Sequence, residues 1–305
     1  MLKGLSNTKL IMILGGLVAI YFIIEFTGGK ERSKSYRSTL VDIDTAKVSG
    51  MVIEKEGKSL LIERVNASEW LVELENGKKV KAKASSVKSS LNNLNTIEPS
   101  RLASKDPGKW KDYQVDSAGT RVKVIEDGDQ ALDIILGRFG VKDQRSYFTY
   151  VRLFDDDEVY TVDNFMGISF SNDPSSFREQ MFFRTKKDSI HTISFNYPDS
   201  SFVLTKSESS WLIDNILADS TNTADFISKL TYTTSKEFVD DVESFGTPEI
   251  SVVIEANGED NLTISGYSIP GKSLVLSSSL NPEAYFQDQA LVDKFLKGKT
   301  YFTAQ

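Results

Sequence analysis

The chain has 305 residues, with 36 Lys+Arg against 43 Asp+Glu, one His and no Cys. No Cys excludes disulfides, thiolate metal sites, cysteine nucleophiles and lipid-modified cysteines, and a lone His191 excludes a two-histidine metal site. The charge is uneven: residues 1–37 carry six Lys+Arg against two Asp+Glu, leaving a body with 30 against 41, too acidic to suit nucleic acid as a partner.

Leu10 to Ile24 is an uncharged run, and extension to Gly29 adds only Glu25 as an interruption. Twenty helical residues span about 30 Å, the thickness of a bilayer's hydrocarbon core. The run therefore predicts a transmembrane anchor over 1–29. A cleaved signal peptide is the alternative, although no A-x-A site is present. Gly15, Gly16 and Ala19 form a small-residue face suited to helix–helix contact in the membrane. The short leading tail favours an inside N-terminus and places the acidic body on the extracytoplasmic side. Lys30, Arg32, Lys34 and Arg37 make a cationic juxtamembrane collar, in a linker over 30–47.

From residue 48 the chain reads as strands separated by turn signals. Val48–Glu54 and Leu60–Arg64 flank a Gly-bearing turn, Trp70–Val72 is a third short strand, and Ala84, Val87, Leu91 and Leu94 fall on one helical face. Thr120–Ile125 with Leu132–Leu136, and Tyr147–Leu153 with Val159–Val162, read as hairpins around acidic turns. The order then recurs. Ile190–Phe195 and Phe202–Lys206 precede Trp211-Leu212-Ile213, Thr223 is an expected N-cap for a helix carrying Ala224, Ile227 and Leu230, and Ile250–Glu255 with Leu262–Ser265 is a further hairpin. Asp288 is expected to cap a last helix with Ala290, Leu291, Phe295 and Leu296 inward. The offset between copies drifts from 141 at Trp70/Trp211 to 125 at Tyr160/Tyr285. The expected fold class is α+β: one transmembrane helix followed by two repeated, mainly antiparallel sheet units with packed helices, over 48–188 and 189–305.

Candidate chemistry is sparse. Gly266–Ser273 matches the phosphate-loop pattern G-x-x-x-x-G-K-[ST], but strand-like Leu274-Val275-Leu276 follows it where a helix is needed. Asp155–Glu158 reads as a solvated turn rather than a calcium site. His191 has no sequence-linked Ser or Asp partner, and Trp70 and Trp211 read as core anchors rather than stacking platforms. No catalytic residue, metal ligand or cofactor is expected, and the chain is read as non-enzymatic.

Trp110–Ser117, Gly119–Val124, Ile135–Arg138, Tyr150–Leu153, Val159–Asp163 and Ser176–Arg178 resemble the family called domain of unknown function 4340. The resemblance is densest over 60–185 and weaker through Trp211 to Pro248, where the second copy departs from the pattern at Phe245. It implies a membrane-anchored accessory or scaffold subunit beside gliding-motility-type ABC transporters. The implied location is the bacterial inner membrane, with a periplasmic body and with membrane lipids and transporter subunits as partners. It carries no catalytic residues. The alternative is an extracytoplasmic module binding a peptide, glycan or lipid.

Overall fold

The computed structural model describes residues 37–303 except 144, 209, 243 and 244. The expected anchor over 1–29, with Gly15, Gly16 and Ala19, lies outside the described residues. Among the described residues no helix is long and apolar enough to cross a membrane.

The first sheet takes β1 (Val48–Lys55), β2 (Lys58–Arg64), β3 (Trp70–Glu73), β4 (Lys79–Ala82), β5 (Pro99–Ser104), β6 (Thr120–Glu126), β7 (Asp129–Val141), β8 (Tyr147–Leu153) and β9 (Val159–Asp163). Its order is β4-β3-β2-β1-β6-β7-β8-β9-β5, antiparallel throughout. Glu56 and Gly57, and Asp127 and Gly128, all adopt positive φ. Paired positive φ makes the two-residue hairpin turn whose twist matches its strands, so both hairpins are set locally.

The second half contributes β10 (Met181–Phe183), β11 (Ile190–Tyr197), β12 (Ser200–Lys206), β13 (Trp211–Ile213), β14 (Ile216–Leu217), β15 (Thr233–Thr234), β16 (Ile250–Ala256), β17 (Leu262–Tyr267), β18 (Val275–Ser278) and β19 (Asn281–Phe286). Eight of these form a sheet of order β14-β13-β12-β11-β16-β17-β18-β19, while β10 pairs with β15 apart from it. Apart from β5, the two sheets follow one strand order. They also share a register shift, between Val48 and Gly50 in one and between Ile190 and Thr192 in the other. Each has its own core: Met51, Ile62, Trp70, Val87, Leu91 and Val122 centre the first, and Phe195, Phe202, Phe226, Ile254, Phe286 and Phe302 the second.

The α+β assignment needs correction. Strands dominate the described chain, and its α-helices are short: α1 (Ala84–Leu94), α2 (Trp110–Tyr113), α3 (Ser220–Lys229) and α4 (Gln289–Phe295). The fold is mostly antiparallel sheet. Helical periodicity carries over to α1, which buries Val87, Leu91 and Leu94. Asp288 caps α4 by accepting from the Ala290 N–H at 2.9 Å. Thr223 is not an N-cap. Asp219 is, accepting from the Asn222 N–H at 2.7 Å, and Thr223 lies one turn inside α3.

The two halves repeat finer contacts. The Lys83 N–H donates to the Phe177 carbonyl at 2.6 Å, and the Asp219 N–H donates to the Phe302 carbonyl at 2.8 Å. Each bond ties the start of a helix to an aromatic in the core. On this correspondence Thr223 stands where the first half has Val87. Thr223 is buried and its hydroxyl has no hydrogen-bond partner among the described residues. A sealed, unpaired hydroxyl costs about 1–3 kcal/mol. Thr223→Val keeps the shape and removes the hydroxyl, so it should raise stability by about 1 kcal/mol, read as a higher urea midpoint with unchanged slope.

Candidate functional site

The site lies on the face of the first sheet opposite its main core. In β7, Ile134 and Leu136 enter that core, while Ile135 between them points the other way, as strand alternation requires. Ile135 joins Val115, Tyr150 and Val159 in a small second cluster, bordered by Trp110, Tyr113 and Phe148. All three residues 134–136 are therefore buried, each face of the strand being covered.

The segment covering this face starts at Asp106, whose carboxylate accepts from the Gly108 N–H at 2.9 Å with Pro107 in the first turn. One turn of α2 follows, ending at Gln114 with φ 55°. The Val115 N–H then donates to the Trp110 carbonyl at 3.0 Å, and Val115 itself is fully buried. Two glycines admit this segment. A Cβ on Gly137 would sit 2.4 Å from the Tyr113 carbonyl oxygen, and one on Gly119 would sit 2.5 Å from that of Gln114. Both obstacles are backbone, so neither can swing away. Gly137→Ala should push α2 off the sheet, a strain of about 1–3 kcal/mol. Circular dichroism melts should show the loss, and the indole emission of Trp110 should shift to the red.

A cleft of about 580 Å³ opens beside α2, lined by Trp110, Ser117, Gly119, Arg121, Arg152 and Phe154, with the β1–β2 turn at its rim. Two arginine–aromatic stacks form its walls. The Arg152 guanidinium lies 3.7 Å from the Trp110 ring centre, and that of Arg121 lies 3.2 Å from the Phe154 ring centre. Such contacts contribute about 0.5–2 kcal/mol each and hold the planar groups in place.

The two arginines are neutralised differently. Arg121 donates from Nε and Nη2 to the two carboxylate oxygens of Asp133, at 2.8 and 2.6 Å, and its Nη1 lies 3.7 Å from Glu54. Its hydrogen bonds to Asp133 hold it above its ordinary pKa. Arg152, only 3% exposed, donates from Nε to the Val115 carbonyl at 3.1 Å. Its Nη1 donates to the carbonyls of Leu153, Phe154 and Asp156 at 3.1, 2.7 and 2.9 Å. Burial depresses its pKa, opposed by Asp157 and Asp156. No carboxylate pairs with it among the described residues.

The other candidates sort differently. Gly266–Ser273 joins two antiparallel strands, Tyr267 pairing with Val275, and no helix N-terminus follows it. Lys272 is paired with Asp241 at 2.8 Å. The Asp155–Glu158 turn is tied inward: Asp156 meets Arg37 at 3.2 Å, and Glu158 meets Lys105 at 2.6 Å and accepts from the Tyr160 hydroxyl. His191 Nδ1 lies 2.9 Å from the Thr192 hydroxyl. Trp70 is fully buried, but Trp211 is only half-buried and lines a second groove of about 590 Å³ with Leu217, Thr223 and Ile227. Trp211 thus packs against the second core, as a core anchor should, but leaves part of its ring on the groove, whereas Trp70 is wholly enclosed. The signal for Arg121 and Arg152 was present but unassigned. Both fall inside strings that carry the family resemblance, and a charged residue among strand apolars invites the question of its partner.

The bonded carboxylate of Glu158 has a pH consequence. Hydrogen bonds from Lys105 and Tyr160 hold its pKa below the usual glutamate value. Its stabilisation is full above the unfolded value of about 4.3 and is lost as pH falls through the lower folded value. The urea midpoint should therefore drop on acidification below about pH 4.5, and Glu158→Gln should flatten that part of the profile.

The family described as Domain of unknown function (DUF4340) matches residues 70–249, more than half of the chain. The chain belongs to this DUF4340 family. The DUF4340 match runs from β3 to the residue before β16, so it spans the cleft walls Trp110, Arg121, Arg152 and Phe154 and crosses into the second sheet. No curated protein and no solved structure matches the chain.

Proposed function

We propose that the chain is a non-enzymatic accessory subunit of an ABC-transporter-like complex of the gliding-motility type, and that a partner subunit docks at the arginine–aromatic cleft. The carrying observation is the convergence of four separate strings, Trp110–Ser117, Gly119–Val124, Ile135–Arg138 and Tyr150–Leu153, on that cleft. Trp and Arg held rigidly at an open surface are the residues that most often anchor protein interfaces, because they bury much area with little further loss of freedom. The body is read as extracytoplasmic. The apolar stretch 10–24 sets membrane lipids beside the N-terminus, at the bacterial inner membrane.

The full chain, crosslinked gently in cells and purified in detergent, should bring down multi-spanning and ATPase subunits. Ser117→Trp, an exposed position at the cleft wall, should sharply reduce that recovery. Recovery of the chain alone, or equal recovery with Ser117→Trp, contradicts the reading. A second reading, a module for an envelope peptide, glycan or lipid, is favoured by the groove beside Trp211 and the exposed Leu217. It predicts a raised melting temperature of the full chain with one of those three fractions, and Leu217→Asp should remove the shift.

A further inference from the structure

Arg152 Nε and Nη1 are committed to four backbone carbonyls, and no hydrogen bond engages Nη2 among the described residues. Nor is Nη2 among the buried atoms cut off from any partner, which leaves it open toward the space the residue lines. Carbonyls satisfy the donors of a guanidinium but leave its charge unneutralised. A cation held 97% out of solvent with no carboxylate at ion-pair distance among the described residues is an expensive arrangement, which the more distant Asp157 and Asp156 offset only in part. The neighbouring Arg121 shows the contrast, since its charge is closed off by Asp133 within the same wall. The cleft thus combines one unused in-plane donor, an unpaired positive charge, and apolar surface from Phe154 and Ile135.

We propose that the cleft binds a carboxylate of a partner peptide on Nη2 of Arg152, with the adjoining apolar side chain against Phe154 and Ile135. The inference rests on the reading of the cleft as the docking point and adds what is recognised there. A carboxylate suits the site better than a phosphate for two reasons. A single free nitrogen offers one charge-assisted hydrogen bond, not the several donors a phosphate needs. Glu54, Glu56 and Asp116 also line the cleft against Lys55 and Lys58, and Lys58 is itself paired with Glu75, so the rim does not gather the positive charge a dianion needs.

The test uses the full chain in detergent and four probes: the capped pentapeptide Ac-Ala-Leu-Glu-Leu-Ala-amide, its Gln analogue, the Gln analogue with a free C-terminal carboxylate, and inorganic phosphate. Calorimetry should find one of the two acid-bearing peptides bound about tenfold or more tighter than the capped Gln peptide. Which of the two is preferred distinguishes an acidic side chain from a chain terminus. Phosphate at millimolar concentration should not compete. Arg152→Gln should abolish the preference. Because that variant removes several buried bonds, Ser117→Trp, which fills the cleft from an exposed position, provides the second arm and should abolish binding in a chain that melts normally. Equal binding of acid and neutral peptides, no binding of any peptide, displacement by phosphate, or full binding to Ser117→Trp each overturns the proposal. If the acid preference is absent while Ser117→Trp still blocks subunit recovery, the docking reading stands and the carboxylate inference falls. If the preference is present without subunit recovery, the reverse holds.

Discussion

Replacing Arg178 by alanine is expected to lower stability by about 3 kcal/mol, and the loss should fall where the two sheets meet. Arg178 follows Phe177 out of the first half, and its backbone bridges to Ala82 at the edge of β4. Its side chain is 5% exposed and donates to both carboxylate oxygens of Asp240, at 2.6 and 2.9 Å, while stacking 3.5 Å from the Phe238 ring centre. Phe238 in turn meets Phe286 of β19, with ring centres 4.9 Å apart, and Asn281 donates to the Glu179 carbonyl at 3.0 Å. One residue therefore links the edge of the first sheet through its backbone, and the end strand of the second through Phe238. Removing it leaves Asp240 without its partner and opens the face of Phe238. Because Asp240 is about a third exposed, water recovers part of the loss, which places the figure at the lower end for a broken buried pair. Denaturant titrations of Arg178→Ala, Asp240→Asn and the double variant should be non-additive, with the double variant losing less than the two singles together. Strict additivity would show that the pair is not coupled.

Phe195→Ala should cost about 3–5 kcal/mol, with the damage confined to the second sheet. The Phe195 ring is fully buried and stacks on Phe202 with centres 4.6 Å apart and planes 12° from parallel. It also meets Phe302 at 5.6 Å and Phe226 at 5.9 Å, so three elements lose a neighbour at once. The aromatic cluster packs β11, β12, α3 and the C-terminal turn together, and the first sheet has a separate core. Hydrogen exchange on the variant should show early loss of protection across β11, β12 and β16, with β1 and β6 still protected. Equal loss across both sheets would mean that they unfold as one unit.

Local pattern reached a good part of this architecture. The turns at Glu56-Gly57 and Asp127-Gly128 were visible because a Gly-bearing pair between alternating apolar runs suits few backbone conformations. The buried face of α1 and the cap at Asp288 were visible because each depends on residues within about one turn of each other. The same reasoning failed at Thr223, where Asp219 four residues earlier is an equally good capping residue and the bond from its backbone to Phe302 selects it. At Trp211 it reached the role but not the extent of burial: the ring packs against the second core, yet how fully it is enclosed depends on what the rest of the chain lays over it. The overall class is out of reach of local pattern, because helical periodicity marks a helix without showing how small a share of the chain the helices hold.

The cleft was not legible in this way. Trp110 and Arg152 are 42 positions apart in the sequence, and Arg121 and Phe154 are 33 apart. Nothing in either neighbourhood specifies the other. Strand register makes the contacts, setting Arg121 opposite Ile135 and Ile135 opposite Arg152 across β6, β7 and β8. The residue order alone determined the acidic, cysteine-free character of the body, its hairpins, the buried face of α1 and its membership of the DUF4340 family, since each of these is written in composition or in short-range pattern. The tertiary structure alone decided that one arginine is neutralised and its neighbour is not. Whether a buried charge finds a carboxylate depends on which strands pair and in what register, and that is a property of the whole sheet.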